Sequence, residues 1–170
     1  MSYSICPVCG RNDARVESPN AFNTDLEVWC PRCGSFTTTE EARDLLRSHK
    51  VSDAQRATIS GYLRENLRFR FTSQQVPRLL AMRTPSVAEK GDRFLAVLAQ
   101  DNPVPGRIIK VQCDDPDLLA RTYAWDLREL AYLAQEYLAA GLGQLQVRGD
   151  THLSNNATQV MIAAPGWARL

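Results

Sequence analysis

The sequence predicts an α+β protein with a cysteine-rich ribbon at its N-terminus, several helices, and a winged-helix-like domain at its C-terminus. Three observations support this: paired cysteines near the start, helical spacing of apolar residues from residue 39 onward, and a final run ordered helix, strand, helix, helix, hairpin. The predicted boundaries are 1–38 for the ribbon, 39–83 for a helical, arginine-rich linker region, and 84–170 for the winged-helix-like domain.

Two similar turns, Cys6-Pro7-Val8-Cys9-Gly10 and Cys30-Pro31-Arg32-Cys33-Gly34, form the first knuckle and the second knuckle. Each Cys-x-x-Cys pair places two sulfurs on one tight turn, and the following glycine permits a left-handed backbone. The 20 residues between Cys9 and Cys30 are enough for a hairpin that brings the knuckles together. We therefore predict a four-cysteine zinc ribbon in which Cys6, Cys9, Cys30 and Cys33 hold one structural Zn²⁺.

Other chemistry could also use these cysteines. Disulfides need an oxidising compartment, yet residues 1–5 carry no signal peptide and Cys113 would lack a partner. A thioredoxin-like redox pair explains one Cys-x-x-Cys but not its near-copy. Iron in a rubredoxin-like knuckle is chemically possible, although such cores are rich in aromatics and only Phe22, Trp29 and Phe36 lie nearby. Zinc is favoured, and iron stays open.

Composition sets the outer limits. At 170 residues and 44% hydrophobic, the chain can bury a core as one domain or two small ones. The sequence holds no apolar run long enough to span a membrane, so we predict a soluble, cytoplasmic protein without a membrane partner. The net charge of +1 is uneven: residues 43–93 hold eleven basic and five acidic residues, which gives +6. A polyanion partner is one hypothesis for that segment, and a solvated helical face is the commoner explanation.

In the first half, Leu26–Trp29 is predicted as a strand that leads into the second knuckle. Thr38 and Glu41 fit a capping box for a helix over Glu40–Ser48. Ser52 and Gln55 fit a second box, for a helix reaching about Phe69. Its buried stripe is predicted to be Ile59, Leu63 and Leu67. Ser73 is predicted to cap a further helix that has Pro77 in its first turns.

In the second half, Thr84-Pro85 is predicted to cap a helix that ends near Gln100. Further elements follow in order: a strand over Arg107–Cys113, a short helix over Asp117–Arg121, a helix capped by Asp126 and Glu129 and stopped by Gly141, and a hairpin pairing Leu145–Arg148 with Gln159–Ala163. This order is that of a winged helix. A plain α+β domain has the same composition, so that alternative stays open.

Several segments also resemble a known family. They are the two knuckles, Ser60-Gly61-Tyr62-Leu63-Arg64-Glu65, Thr72-Ser73, Pro85-Ser86-Val87-Ala88-Glu89-Lys90 and Pro165-Gly166-Trp167-Ala168-Arg169-Leu170. In this order the chain resembles the N-terminal region of bacterial proteins that carry a zinc ribbon and winged-helix-like module before a nucleoside 2-deoxyribosyltransferase-like or TIR-like domain. The resemblance implies a module that regulates a catalytic domain following the Pro-Gly-Trp segment. We expect a truncated or stand-alone form here, to which no catalytic residue of that family carries over.

A catalytic constellation is not predicted. His49 and His152 have no nucleophile or paired carboxylate at supporting spacing. Asp114, Asp115 and Asp117 are better read as a turn with a helix cap than as a cation site. Gly141-Leu142-Gly143 is a helix stop rather than a dinucleotide loop, and Cys113 is a buried strand residue. Four thiolates would also leave zinc no open position. We therefore predict a non-catalytic protein.

Two functions remain as hypotheses. The first is binding or sensing of DNA or RNA through six arginines of the middle segment, Arg56, Arg64, Arg68, Arg70, Arg78 and Arg83. Against duplex reading by the usual helix, its predicted exposed positions Arg128, Glu129, Tyr132, Gln135 and Glu136 sum to −1. The alternative is an interaction or oligomerisation platform that binds a protein partner, a C-terminal effector domain or a second copy of itself.

Overall fold

The computed structural model describes residues 3–18, 24–141, 143–145 and 157–170. They fall into two compact units, Met1–Thr84 (unit 1) and Pro85–Leu170 (unit 2). Both units mix helices with a small sheet, which confirms the α+β class. The segment 39–83, predicted as a separate linker region, supplies helices that share one core with the ribbon inside unit 1.

Unit 1 is built on a five-stranded sheet in the order β1-β2-β3-β4-β5. Its strands are β1 Tyr3–Ser4, β2 Ala14–Glu17, β3 Asp25–Cys30, β4 Gly34–Thr39 and β5 Phe69–Phe71. The first four pair antiparallel, and β5 joins β4 in parallel. The predicted strand Leu26–Trp29 lies inside β3. Alternation along β3 buries Leu26, Val28 and Cys30, so the intervening residues point outward.

Three helices cover the inner side of this sheet: α1 Glu40–Ser48, α2 Asp53–Glu65 and α3 Val76–Leu80. The predicted extension of α2 to about Phe69 is wrong, because the helix ends at Glu65 and Phe69 begins β5. Between them Arg68 adopts a left-handed backbone with φ of 63°, which turns the chain toward the sheet. Consequently Leu67, predicted in the buried stripe, is 65% exposed, whereas Ile59 and Leu63 are buried as predicted.

The helix caps of unit 1 follow the predicted chemistry with two shifts. The box of Ser52 and Gln55 at the start of α2 is confirmed. The cap of α1 is Thr39 instead of Thr38: the Thr39 hydroxyl accepts from the Ala42 amide at 3.2 Å. Thr38 is fully buried, because it faces the core from β4.

The predicted cap at Ser73 is also wrong. Thr72 occupies the cap position, and its amide donates to Oε1 of Gln75 at 2.7 Å. A 3₁₀ turn over Ser73–Gln75 follows, and α3 begins only at Val76. Two adjacent hydroxyl residues offer the same capping chemistry, and here the first of them is used.

Unit 2 contains α4 Val87–Asp101, β6 Ile108–Gln112, α5 Pro116–Arg121, α6 Leu127–Ala139, β7 Gly143–Leu145, β8 Ala157–Ile162 and α7 Ala164–Ala168. Its sheet has the order β6-β8-β7 and is antiparallel throughout. The cap of α4 is Ser86 with Glu89 instead of the predicted Thr84, because Ser86 and Glu89 form a complete capping box. The predicted cap of α6 is present, because the Glu129 amide donates to Oδ1 of Asp126 at 2.9 Å.

The predicted strand Leu145–Arg148 is described only at Leu145, which ends β7, and residues 146–148 lie outside the described residues. Most of the predicted connection 149–158 lies outside them as well. The predicted partner strand corresponds to β8, where Val160 and Ile162 are buried. Val160 and Ile162 of β8 pack with Phe94, Leu130 and other core residues of α4 and α6.

Candidate metal centre and exposed sheet face

The four cysteines of the two knuckles meet in the interior of unit 1. The first knuckle lies between β1 and β2, and the second is the tight turn between β3 and β4, where Cys30 pairs with Gly34. Gly10 and Gly34 have φ of 78° and 77°, so both predicted left-handed positions are present. Cys6, Cys9, Cys30 and Cys33 are all buried, with at most 7% of any residue exposed.

The sulfur atoms are arranged as a metal site requires. Sγ of Cys6 lies 3.8 Å from Sγ of Cys33, and Sγ of Cys9 lies 3.5 Å from Sγ of Cys30. All four Sγ atoms lie within 4.8 Å of one another. A tetrahedral ion with metal–sulfur bonds of about 2.3 Å would separate its ligands by about 3.8 Å. The four sulfurs therefore fit a tetrahedral metal ion, whose identity the geometry does not fix.

Disulfides are absent from this cluster, since all four cysteines are free. Burial raises the pKa of Cys33, and hydrogen bonding with Cys30 raises that of Cys6. The pKa of Cys30 is lowered, mainly by hydrogen bonds with Cys33 and then Cys6. Four thiolates this close repel one another unless a cation is bound between them. The donor set thus favours a bound cation when all four thiols ionise.

One face of α2 covers both knuckles. Nη1 of Arg56 donates to the carbonyl oxygen of Val8 at 2.7 Å, and Oγ of Ser60 lies 3.2 Å from Sγ of Cys33. One turn further, Arg64 lies against Gly34, since a Cβ added to that glycine would lie 3.5 Å from Cδ of Arg64. Residues four apart share a helix face, so this stripe is the surface that holds the cysteine turns in place.

A buried arginine lies inside the second knuckle. Arg32 is only 5% exposed, and burial lowers its pKa, while Cys9 and Cys33 act in the opposite direction. A guanidinium holds its proton even when buried, so Arg32 brings a fixed positive charge close to the thiolates. This charge offsets part of the −2 that one divalent cation and four thiolates would carry.

The structure separates the six arginines predicted to contact nucleic acid. Arg56 and Arg64 lie against the knuckles, as described above. Arg68 and Arg70 lie at the β5 side of the sheet, where Arg70 forms an ion pair of 3.0 Å with Asp25. Arg78 on α3 and Arg83 after it are exposed on the helical side. The six therefore lie on different parts of unit 1: two on α2, two at or just before β5, and two on or just after α3.

The outward face of the sheet brings together residues that the sequence analysis did not connect. Arg15, Trp29 and Ser35 lie side by side on β2, β3 and β4. The row continues to Arg68, whose amide donates to the Ser35 carbonyl oxygen at 2.9 Å. Trp29 is 38% exposed, and Cζ of Arg15 lies 5.0 Å from the centre of its ring. A partly exposed aromatic ring therefore lies under Arg15 and shares the lining of one cavity with Arg68.

This row borders a shallow cavity of about 330 Å³. Its lining includes the side of the sheet that carries Glu27, Trp29, Ser35 and Thr37, together with Arg68. Successive side chains of a strand point to opposite faces, so the sequence of the predicted strand was enough to place Glu27 and Trp29 on the same face. Nothing in the sequence indicates that Arg68 joins them, because that depends on the turn before β5.

The histidines, the acidic turn and Cys113 have ordinary structural surroundings where the structure describes them. Nδ1 of the exposed His49 lies 2.8 Å from the Leu45 carbonyl oxygen at the end of α1, and His152 lies outside the described residues. Asp115 caps α5 by accepting from the Asp117 amide at 2.9 Å. Cys113 is buried just beyond β6, and burial, followed by Asp114, raises its pKa.

Helix α6 of unit 2 differs from the prediction at one position. Arg128, Tyr132, Gln135 and Glu136 are exposed as predicted. Glu129 is not: its Oε1 accepts from Nζ of the buried Lys90 at 2.5 Å, and its Oε2 accepts from the Trp125 amide. The exposed members therefore carry one positive and one negative charge. This surface of α6 has no net charge with which to attract phosphates.

Comparison with known proteins gives no match. Neither a family model, nor a curated protein, nor a solved structure is detectably similar to this chain. Within the residues described, none of the helices combines the length and the apolar character needed to cross a lipid bilayer. The function must therefore be argued from the cysteine cluster and the outward sheet face.

Proposed function

We propose that this protein is a non-catalytic zinc module that binds nucleic acid through the outward face of the unit 1 sheet. The observation that carries the proposal is the exposed ring of Trp29, which lies between Arg15 and Arg68 beside a cavity of about 330 Å³. Exposed aromatic rings flanked by arginines are the usual means of binding bases and phosphates together.

Zinc is the ion we assign to the four cysteines. Thiolate ligands in a closed tetrahedral set are typical of structural Zn²⁺, and they leave no open position for water or substrate. The metal would hold the turns at the ends of β3 and β4 and thereby fix the sheet face. Its role is structural, which agrees with a binding function and not with catalysis.

The charge on this face limits the mode of binding. Arg15 pairs with Glu17, Arg70 pairs with Asp25, and Glu27 lies in the cavity, so the face as a whole is close to neutral. Binding would therefore depend more on stacking than on counterion release, and its salt dependence would be modest for a nucleic-acid-binding protein. We expect a log–log salt slope closer to −2 than to the steep slopes of extended basic grooves, since about two arginines would contact phosphates.

Unit 2 is interpreted as a winged-helix-like domain that does not read duplex DNA. Two features favour the winged-helix interpretation. They are the order of helix, strand, two helices and two strands, and the antiparallel β6-β8-β7 sheet. The charge of α6 argues against binding in the DNA major groove, because the charges of the exposed Arg128 and Glu136 cancel. Proteins that insert a helix into the major groove surround it with phosphate-binding cations.

Fluorescence anisotropy with a labelled mixed-sequence 12-mer, single-stranded and as a duplex, tests the proposal. We expect Arg15→Ala combined with Arg68→Ala to weaken binding by roughly tenfold or more, since each contact with a charged group contributes about 1 kcal/mol or more. Arg47→Ala and Arg128→Ala are matched controls on exposed positions of α1 and α6, and both should bind as the parent does. Binding unchanged in the double variant, or absent in the parent protein, would refute the proposal.

A second candidate function, protein interaction, is favoured by a groove on unit 2. Helices α4 and α6 border a cavity of about 380 Å³ beside Gly91, Leu133 and Tyr137. Val87 at its edge is 53% exposed, and an Asp92–Arg169 ion pair of 2.5 Å lies at its rim. A second copy of this chain is the occupant we would test, because a two-fold interface would bring the same exposed apolar patch around Val87 from both copies together. Light scattering across concentration should show a dimer that Val87→Asp abolishes.

A further inference from the structure

The cavity beside Trp29 has a chemical composition that is more specific than general attraction to a polyanion. Trp29 and Glu27 are two residues apart on the outward side of β3, and Ser35 and Thr37 are their partners on β4. All four line the same cavity, together with Arg68. One flat ring, one carboxylate, two hydroxyls and one guanidinium thus surround a single opening.

We infer that this cavity binds one unpaired nucleobase of a single-stranded nucleic acid, stacked on the Trp29 ring and favouring bases with an exocyclic amino group. The inference rests on the proposed function and narrows it to a substrate class. It uses the geometry of unit 1 alone.

Stacking requires that the base be unpaired. Trp29 is 38% exposed on the sheet face, and stacking on its ring needs a base whose flat side is free of neighbours. In a duplex both sides of each base are covered by the stack, whereas a single strand can splay its bases onto aromatic side chains. Arg15 already lies over the Trp29 ring at 5.0 Å, so a base would either add to that stack or displace the guanidinium.

Glu27 supplies the base preference. An ionised carboxylate only accepts hydrogen bonds, so it favours bases that present amino hydrogens and disfavours the O4 acceptor edge of thymine or uracil. Cytosine, with its N4 amino donor, is the simplest base that meets this requirement. Ser35 and Thr37 can donate or accept, and they therefore adapt to either edge of the ring.

Arg68 is placed to meet the phosphate next to that base. Its left-handed backbone, φ 63°, is unusual for a residue with a side chain, and it is held by the Arg68 amide donating to the Ser35 carbonyl oxygen. This turn sets the direction in which the exposed Arg68 side chain leaves the backbone, and Arg68 lines the cavity. A cation beside a stacking ring fits a base together with its own phosphate.

The experiment compares three probes at one salt concentration: (dC)12, (dT)12, and a mixed-sequence 12-bp duplex. The protein used is the full chain with Trp125→Phe and Trp167→Phe, so that Trp29 is the sole tryptophan and reports directly on stacking. We expect (dC)12 to quench Trp29 fluorescence and to bind at least fivefold more tightly than (dT)12 or the duplex. Retained metal content in each variant establishes that unit 1 is folded.

Two further variants separate stacking from base choice. Trp29→Ala, made in the parent chain and followed by anisotropy, should weaken (dC)12 binding roughly 5- to 150-fold, the range for loss of one base–aromatic stack. Trp29→Phe keeps a ring and should retain most of the affinity. Glu27→Gln should bring (dC)12 and (dT)12 to similar affinity, because the amide can both donate and accept.

The outcomes distinguish this inference from the proposed function. If duplex and single strand bind equally, Trp29→Ala has no effect and the Arg15/Arg68 double variant still weakens binding, the base site is refuted while nucleic-acid binding stands. Equal affinity for (dC)12 and (dT)12 in the parent refutes the role of Glu27. If none of the three probes binds, both the inference and the proposed function are wrong.

Discussion

The hydroxyl oxygen of Ser60 lies 3.2 Å from the sulfur of Cys33, and both residues are fully buried. This contact joins the middle of α2 to a cysteine that is 27 positions away in the sequence. The helix therefore supports the four-cysteine cluster directly, and the stability of the cluster and the packing of α2 should depend on each other.

The first prediction concerns this contact. Ser60→Ala should weaken metal binding by roughly tenfold, because loss of a partner that hydrogen-bonds a ligand commonly costs that much affinity. Competition with a chromophoric chelator measures the change. Ser48→Ala is the matched control, since the Ser48 hydroxyl bonds only to the Leu45 carbonyl at the exposed end of α1. Equal affinities for the two variants would contradict the prediction.

The second prediction concerns Arg56. Removing its side chain leaves the carbonyl oxygen of Val8, a residue 2% exposed, without the guanidinium that donates to it at 2.7 Å. Arg56→Ala should lower the free energy of unfolding of unit 1 by about 1–3 kcal/mol, the range for an unsatisfied buried group. Urea unfolding followed by Trp29 fluorescence, in a chain that also carries Trp125→Phe and Trp167→Phe, reports on this unit. Arg47→Ala, exposed on α1, should change it by less than about 0.5 kcal/mol.

The third prediction concerns removal of the metal. The cysteines form part of the unit 1 core with Val28 and Phe36, whereas unit 2 has a core of its own around Phe94 and Leu130. A strong chelator should therefore unfold unit 1 and leave unit 2 folded, since binding energy at such sites is folding energy. Amide spectra by NMR would show loss of dispersed signals from 3–84 only. Loss of the dispersed signals of both units together, or retention of the signals of both units, would contradict this expectation.

The fourth prediction concerns the Lys90–Glu129 pair. The Lys90 side chain is 5% exposed, and Glu129 accepts from it and from the Trp125 amide. Glu129→Ala should destabilise unit 2 by about 3 kcal/mol, because it leaves a buried ammonium without its carboxylate. Lys90→Met should cost less, since Glu129 is 30% exposed and keeps the Trp125 contact. Urea unfolding of both variants measures the two losses of stability. A larger loss for Lys90→Met than for Glu129→Ala would disprove this account.

The fifth prediction concerns the hydroxyl of Tyr137, which is buried with no hydrogen-bond partner among the described residues. Tyr137→Phe should therefore stabilise unit 2 slightly, by up to about 1 kcal/mol, since it removes an unsatisfied polar atom. The ring contact with Phe94, at 5.9 Å between centres, is kept.

Tyr137 should also make the stability of unit 2 depend on pH in the alkaline range. Burial raises the pKa of Tyr137 to about 12, whereas an unfolded tyrosine titrates near about 10. Above pH 10 the unfolded chain loses this proton first, so the contribution to stability is present below pH 10 and falls as pH rises toward 12. Unfolding measured from about pH 9 to 11 should show a steeper loss for the parent than for Tyr137→Phe. Parallel curves of stability against pH for the parent and for Tyr137→Phe would contradict this prediction.

Much of the local structure could be predicted because its causes are local. The boxes of Ser52 with Gln55 and of Asp126 with Glu129 follow from side chains that reach backbone amides three residues away. The errors at Thr38 and Thr84 have the same origin. Each lies within two residues of another hydroxyl residue, and tertiary packing decided which of them caps the helix.

The sequence by itself determined the four-sulfur ligand set and the α+β class, because Cys-x-x-Cys spacing and apolar periodicity act within a few residues. The tertiary structure decided the rest. It turned Arg56 and Arg64 onto the knuckles, set β5 parallel to β4, and brought Arg68 beside Trp29. These contacts join residues tens of positions apart, and their energy comes from burial and shape that the chain acquires only when it folds.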